Sequence, residues 1–75
     1  MDLVTVKLGS MGSAELREFI FQSGATVEDL LNEADIELQP NQTVVVKGGG
    51  KVELSSKLSD GAIYFITTDV KGGNN

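Results

Sequence analysis

Two adjacent glycines, Gly72 and Gly73, are the residues here with the clearest chemical use beyond folding. They stand in the run Val70-Lys71-Gly72-Gly73-Asn74-Asn75. Glycine has no Cβ, so such a pair gives a flexible and unhindered arm. Cleavage of the bond between Gly73 and Asn74 would leave a bare carboxylate at the tip of that arm. A carboxylate so placed can pass into a narrow enzyme channel, be activated there and be attacked by a nucleophile without a side chain in the way. The competing reading is a frayed Gly/Asn tail, common at the ends of domains. The body that carries the arm decides between them.

Composition removes most other chemistry. The 75 residues include no cysteine, histidine or tryptophan. There is therefore no disulfide framework and no thiol nucleophile, no ordinary zinc ligand set and no usual nucleophile–base pair. The chain is expected not to be an enzyme and to need no cofactor or metal. A net charge of −5, from 11 acidic and 6 basic residues, opposes binding to nucleic acid or to an anionic membrane. No apolar run approaches the roughly 20 residues that span a bilayer. Met1-Asp2-Leu3-Val4 lacks the basic and apolar regions of a signal peptide, so a cytoplasmic monomer is expected.

Other candidate motifs have plainer readings. Gly48-Gly49-Gly50-Lys51 is followed by Val52 and a strand pattern, whereas a phosphate-cradling loop needs Gly-Lys-Ser/Thr opening a helix. A hairpin turn fits better. Glu28, Asp29, Glu33, Asp35 and Glu37 lack the spacing of a calcium loop. They read as a solvated helix face and its exit, able to dock a basic partner. Lys7, Lys47, Lys51, Lys57 and Lys71 are ordinary surface lysines that a modifier system can use as acceptors.

The elements that must carry the arm follow from periodicity. Residues 3–8 alternate, with Val4, Val6 and Leu8 on one face of a strand. Gly9-Ser10-Met11-Gly12-Ser13 is a turn cluster. Residues 14–22 read in two ways. Ser13 can cap a helix, but Phe19-Ile20-Phe21 favours a strand. Thr26 then reads as an N-cap with Asp29 three positions on, a variant capping box. Val27, Leu30, Leu31 and Ala34 make one apolar stripe of a short helix ending near residues 34–35. Pro40 bars its continuation. The β-branched run at 43–47 predicts a strand buried on both faces. Residues 51–55 predict a short strand with Val52 and Leu54 inward. Leu58-Ser59-Asp60-Gly61 predicts a turn, with Gly61 at positive φ. Residues 62–68 predict the last strand.

Strand, strand, helix, strand, short strand, strand is the order of an α+β domain with its helix on one face of a mixed sheet of four to five strands. The apolar stripe is too small to stand alone. It must lie on the sheet, against candidates Val4, Val6, Leu8, Phe19, Val44, Val46, Ile63 and Phe65. That is a β-grasp arrangement over residues 1–70, with the last strand parallel to the first and a tail at 71–75. Tyr64 and Ile66 then fall on the other face. With Lys71, they are candidates for a partner-binding surface.

The second half of the chain resembles the sulfur-carrier and ubiquitin-like β-grasp proteins, which include the small subunit of molybdopterin synthase and the thiamine sulfur carrier. The resemblance rests on Asn41-Gln42-Thr43-Val44-Val45-Val46-Lys47-Gly48, Val52-Glu53-Leu54, Leu58-Ser59-Asp60-Gly61-Ala62-Ile63-Tyr64-Phe65-Ile66 and Val70-Lys71-Gly72-Gly73. Thr26-Val27-Glu28-Asp29-Leu30-Leu31 is similar to the family's helix start. It implies a protein that is itself a substrate. An ATP-dependent, E1-like adenylyltransferase would activate Gly73, and the acyl group would pass to sulfur or to an amine of a target protein. This sequence departs from the pattern at Lys47, at the lengthened Gly49-Gly50 turn, at Ala62 and at Asn74-Asn75. The last departure implies a processing peptidase that cuts between Gly73 and Asn74. It points more to a processed modifier than to a carrier active as translated. The alternative is a β-grasp interaction module that is never conjugated, since fold does not fix function.

Overall fold

The structure, a computed structural model, describes residues 2–10 and 15–68. Its elements are strand β1 (Leu3–Ser10), strand β2 (Arg17–Gln22), helix α1 (Val27–Glu33), strand β3 (Gln42–Val46), strand β4 (Lys51–Val52) and strand β5 (Ile63–Thr68). The five strands form one mixed sheet in the order β2-β1-β5-β3-β4. β5 runs parallel to β1 and antiparallel to β3. Helix α1 covers one face, as expected for a β-grasp.

Segment 17–22 is a strand, resolving the ambiguity in the sequence. Phe19 and Phe21 half-bury on the helix side with ring centroids 6.4 Å apart, while Ile20 is 61% exposed on the other side.

Both ends of α1 are closed by local chemistry. Thr26 Oγ1 accepts from the Asp29 N–H at 3.3 Å, and Asp29 Oδ2 accepts from the Thr26 N–H at 3.0 Å. This is the capping box read from the sequence, with the shorter Asp serving. At the other end Ile36 N–H donates to the Leu31 carbonyl at 2.9 Å, and Asp35 N–H to the Asn32 carbonyl at 3.2 Å. These two bonds make a Schellman stop. It places Asp35 in the left-handed region at φ 60°, where glycine sits without strain. The last turn of α1 holds no basic residue. The cation comes from the sheet instead: Arg17 Nη1 donates to the Ala34 carbonyl at 3.4 Å and its guanidinium lies 5.0 Å from the Phe19 ring centroid. A cation there suits the negative end of the helix dipole.

The expected stripe is buried: Val27, Leu30, Leu31 and Ala34 are each no more than 4% exposed. It meets Val4, Val6, Leu8, Val44, Tyr64, Ile66 and Leu58 in one core, with Phe19 and Val46 partly buried against it. Ile63 and Phe65, expected inward, are not in this core. The register explains why. Lys7 pairs with Ile63 and Leu8 with Tyr64, and paired residues share a sheet face. Leu8 is inward, so Tyr64 and Ile66 are too. Both faces of β5 are apolar, so its alternation did not distinguish them.

That register is set at the turn before β5. Thr5 N–H donates to Asp60 Oδ1 at 2.8 Å, Gly61 N–H donates to the Thr5 carbonyl at 2.7 Å, and Lys7 N–H donates to the Ala62 carbonyl at 3.0 Å. Gly61 has φ 83°, as predicted.

Two further expectations need correction. The short strand covers Lys51–Val52 alone, and Leu54 is 41% exposed rather than inward. The chain turns at 53–56 because Ser56 N–H reaches the Glu53 carbonyl at 3.0 Å and Ser56 Oγ accepts from the Glu53 N–H at 3.2 Å. In β3 only Val44 is fully buried, because one face of the sheet lacks a helix; Val45 and Val46 are half-buried.

Substitutions at two positions check these assignments by urea denaturation. Asp60→Ala should cost about 1–2 kcal/mol, while Asp60→Asn, which keeps the acceptor, should cost clearly less. Asp35→Gly should stabilise by about 0.5–1 kcal/mol, because it relieves a left-handed side-chain residue.

Candidate functional site

The candidate site is the Gly72-Gly73 arm and the surface from which it departs. Lys71, Gly72, Gly73 and Asn74 lie outside the described residues. The structure does show the base of the arm. Thr68 ends β5 and is exposed. It pairs with Gln42 at the start of β3, with Gln42 Nε2 donating to Thr68 Oγ1 at 3.4 Å. One residue back, Thr67 Oγ1 donates to the Thr43 carbonyl at 3.4 Å. β5 is the middle strand of the sheet, with β1 on one side and β3 on the other. β1 pairs with β5 only as far as Ile66, so Thr67 and Thr68 are held from the β3 side.

Tyr64 and Ile66 do not form a partner surface. They are 2% and 8% exposed, and Tyr64 Oη accepts from the Ser59 N–H at 3.1 Å. Both pack under α1 for the register reason given above. The surface-facing residues of β5 are Ile63, Phe65 and Thr67, each half-buried. Phe65 pairs with Val45 of β3 on one side and with Gly9 of β1 on the other. A Cβ at Gly9 would stand 2.5 Å from Leu16 Cδ2 and 3.7 Å from Phe65 Cδ1. Leu16 thus folds over Gly9 beside Phe65, and the missing side chain makes that approach possible. The result is a contiguous apolar patch of Leu16, Phe65, Val45 and Ile63 on the face without a helix. The sequence signal for it was the Asp60-Gly61 turn, which fixes the phase of β5. Periodicity of β5 alone could not.

Charge is distributed unevenly around this body. The exposed lysines of β1 and β4, Lys7 and Lys51, pair in register with Ile63's strand and with Val45. The carboxylates Glu28, Asp29, Glu33, Asp35 and Glu37 lie on or just after α1, on the other side of the sheet. Asp29 is committed to the capping box. Among the described residues no group of acidic side chains is gathered closely enough to hold a metal ion. Gly48-Gly49-Gly50 form the β3–β4 hairpin, with Gly48 at φ 83° and Val46 N–H donating to the Gly50 carbonyl at 3.1 Å. No helix among the described residues is long and apolar enough to cross a membrane.

Neither a protein-family model nor a curated protein matches the sequence. A solved structure does. It is a ubiquitin from Caldiarchaeum subterraneum, 20% identical, with a TM-score of 0.63 over 96% of this chain and 100% of that one. The fold is a ubiquitin-like β-grasp. At this identity the likeness concerns the fold, and the chemistry must be argued from the residues of this chain. Within that fold β5 occupies the middle of the sheet.

The two faces of β5 are separable by mutation. Tyr64→Ala should cost about 3–5 kcal/mol. Phe65→Ala, at the half-exposed patch, should cost about 1–2 kcal/mol and leave a cooperative urea transition. Equal costs would contradict the assigned register.

Proposed function

We propose that this chain is a ubiquitin-like protein modifier or sulfur carrier, used as a substrate rather than acting as a catalyst. Its working atom is the carboxyl carbon of Gly73. The supporting observation is the β-grasp body with β5 held in its middle, which brings the chain to an exposed, anchored Thr68. Five residues, Asp69 to Gly73, follow Thr68. Covalent geometry lets five residues reach at most about 18 Å. The arm is thus long enough to extend clear of the sheet and short enough to be presented from a fixed direction. On this reading residues 1–70 form the domain and 71–75 the tail.

The steps follow from the residues. In this sequence the Gly73 carboxyl is tied in a peptide bond to Asn74. A processing peptidase hydrolyses that bond and frees the carboxylate. An E1-like adenylyltransferase then lets the carboxylate oxygen attack the α-phosphorus of ATP. Pyrophosphate leaves and an acyl-adenylate forms. A thiol, sulfide or amine next attacks the carbonyl carbon and expels AMP. The ATP is bound by the activating enzyme. Glycine at both 72 and 73 keeps the carbonyl open to each partner. The patch of Leu16, Val45, Ile63 and Phe65 offers the activating enzyme an apolar surface to grip while the arm is engaged. Target proteins enter at the last step. The reading places the working protein in the cytoplasm as a monomer.

The test is ATP–pyrophosphate exchange with candidate activating enzymes from the same cell. The form ending at Gly73 should support exchange and gain the mass of an adenylyl group (AMP less water), while the form extended through Asn75 should not. Replacement of Gly73 by Val should reduce exchange by about tenfold or more, the scale expected when a reacting group is misplaced. Failure of the Gly73 form, with a control carrier adenylated in parallel, would defeat the proposal and leave the interaction-module reading.

A further inference from the structure

An open cleft of about 500 Å³ lies beside α1, between the segment after the helix and the loop that follows β4. Its apolar lining is Leu31, Ile36, Leu38 and Leu54. Its charged lining is Glu28, Asp35 and Glu37, with no lysine or arginine. The volume lies in the range of sites that take a small ligand or a few side chains, about 300–1,000 Å³.

The walls are held in place without any occupant. Val27 N–H donates to the Ser56 carbonyl at 2.9 Å, Glu28 N–H to the Leu54 carbonyl at 3.0 Å, and Leu58 N–H to the Ala25 carbonyl at 2.8 Å. These bonds tie the loop carrying Leu54 to the start of α1. The other wall is pinned by the Schellman bond of Ile36 and by Gln39 and Gln42, which exchange bonds at 2.9 and 3.0 Å. Leu54 is 41% exposed, yet its backbone is fixed. Covering it requires ordering of the leucine rotamers alone, with no ordering of the backbone.

The charges specify the occupant. The carboxylates of Glu28, Asp35 and Glu37 make no hydrogen bond or ion pair with other described residues. They do not gather into a metal-holding group. A point cation therefore does not match them, and it would leave the apolar floor uncovered. We propose that this cleft docks a short segment of a partner protein whose aliphatic side chains cover Ile36, Leu38 and Leu54 and whose flanking lysines or arginines face the three carboxylates. Charge complementarity steers such a segment and fixes its direction, while the apolar contact supplies the affinity. This groove lies on the helix side, away from the patch around Phe65, and its use does not depend on the fate of Gly73.

The test is a titration of the ¹⁵N-labelled full chain with a capped synthetic peptide of alternating leucine and lysine. A leucine–glutamate peptide and a serine–lysine peptide serve as comparators. The leucine–lysine peptide should give saturable shifts at the amides of Asn32, Ile36, Leu38 and Leu54, weakening as salt is added. The double change Leu54→Ser with Glu37→Gln should weaken binding about tenfold. Circular dichroism of that variant should be unchanged, since both side chains are exposed. No saturable shifts, shifts centred on Ile63 and Phe65, or equal binding of either comparator would overturn the proposal.

Discussion

The whole arrangement depends on the three hydrogen bonds that dock the Asp60-Gly61 turn on β1. Thr5 donates its N–H to Asp60 and accepts the Gly61 N–H at its carbonyl, and Lys7 donates its N–H to the Ala62 carbonyl. A parallel strand pair has no hairpin to set its register, because its connection runs through the rest of the chain. This side-chain contact does that work. A slip of one residue would exchange the two faces of β5. Tyr64 and Ile66 would leave the core, and Ile63 and Phe65 would be driven under α1. The anchored end at Thr68 would shift with them. Core, surface patch and the position of Thr68 therefore share one register, which this turn sets together with the antiparallel pairing of β5 to β3.

Much of the architecture was legible in the sequence because several levels of pattern agreed. Thr26 and Asp29 capped the helix, the Val27-Leu30-Leu31-Ala34 stripe gave its buried face, and the alternation of Val4, Val6 and Leu8 gave β1. Agreement of this kind marks a sequence that specifies one fold. The illegible parts share a physical cause. β5 is apolar on both faces, so its period of two had no phase until Asp60 was placed against Thr5. Leu54 looked inward because it alternates with Val52, but the Ser56 turn ends the strand first. The Arg17 contact with the end of α1 joins residues far apart in sequence, and no local pattern announces it. Of the candidate site, the glycine arm lies outside the described residues, whereas the surface patch was assigned to Tyr64 and Ile66, which the structure buries under α1.

The fold and the arm support each other without being the same kind of finding. The ubiquitin-like β-grasp is a matter of topology, shared with the archaeal ubiquitin at low identity. The activation chemistry is a proposal about Gly73. What joins them is mechanical. A substrate protein activated at its end needs a rigid grip and a free tip. On the proposed reading β5 offers the first, and glycine at 72 and 73, once Asn74 is removed, would offer the second.

The most direct measurement is the intact mass of this protein isolated from its own cells. The account predicts a species that terminates at Gly73, lacking Asn74 and Asn75, either free or carrying an adduct on its terminal carboxyl. A population in which every molecule retains Asn74 after Gly73 would contradict it.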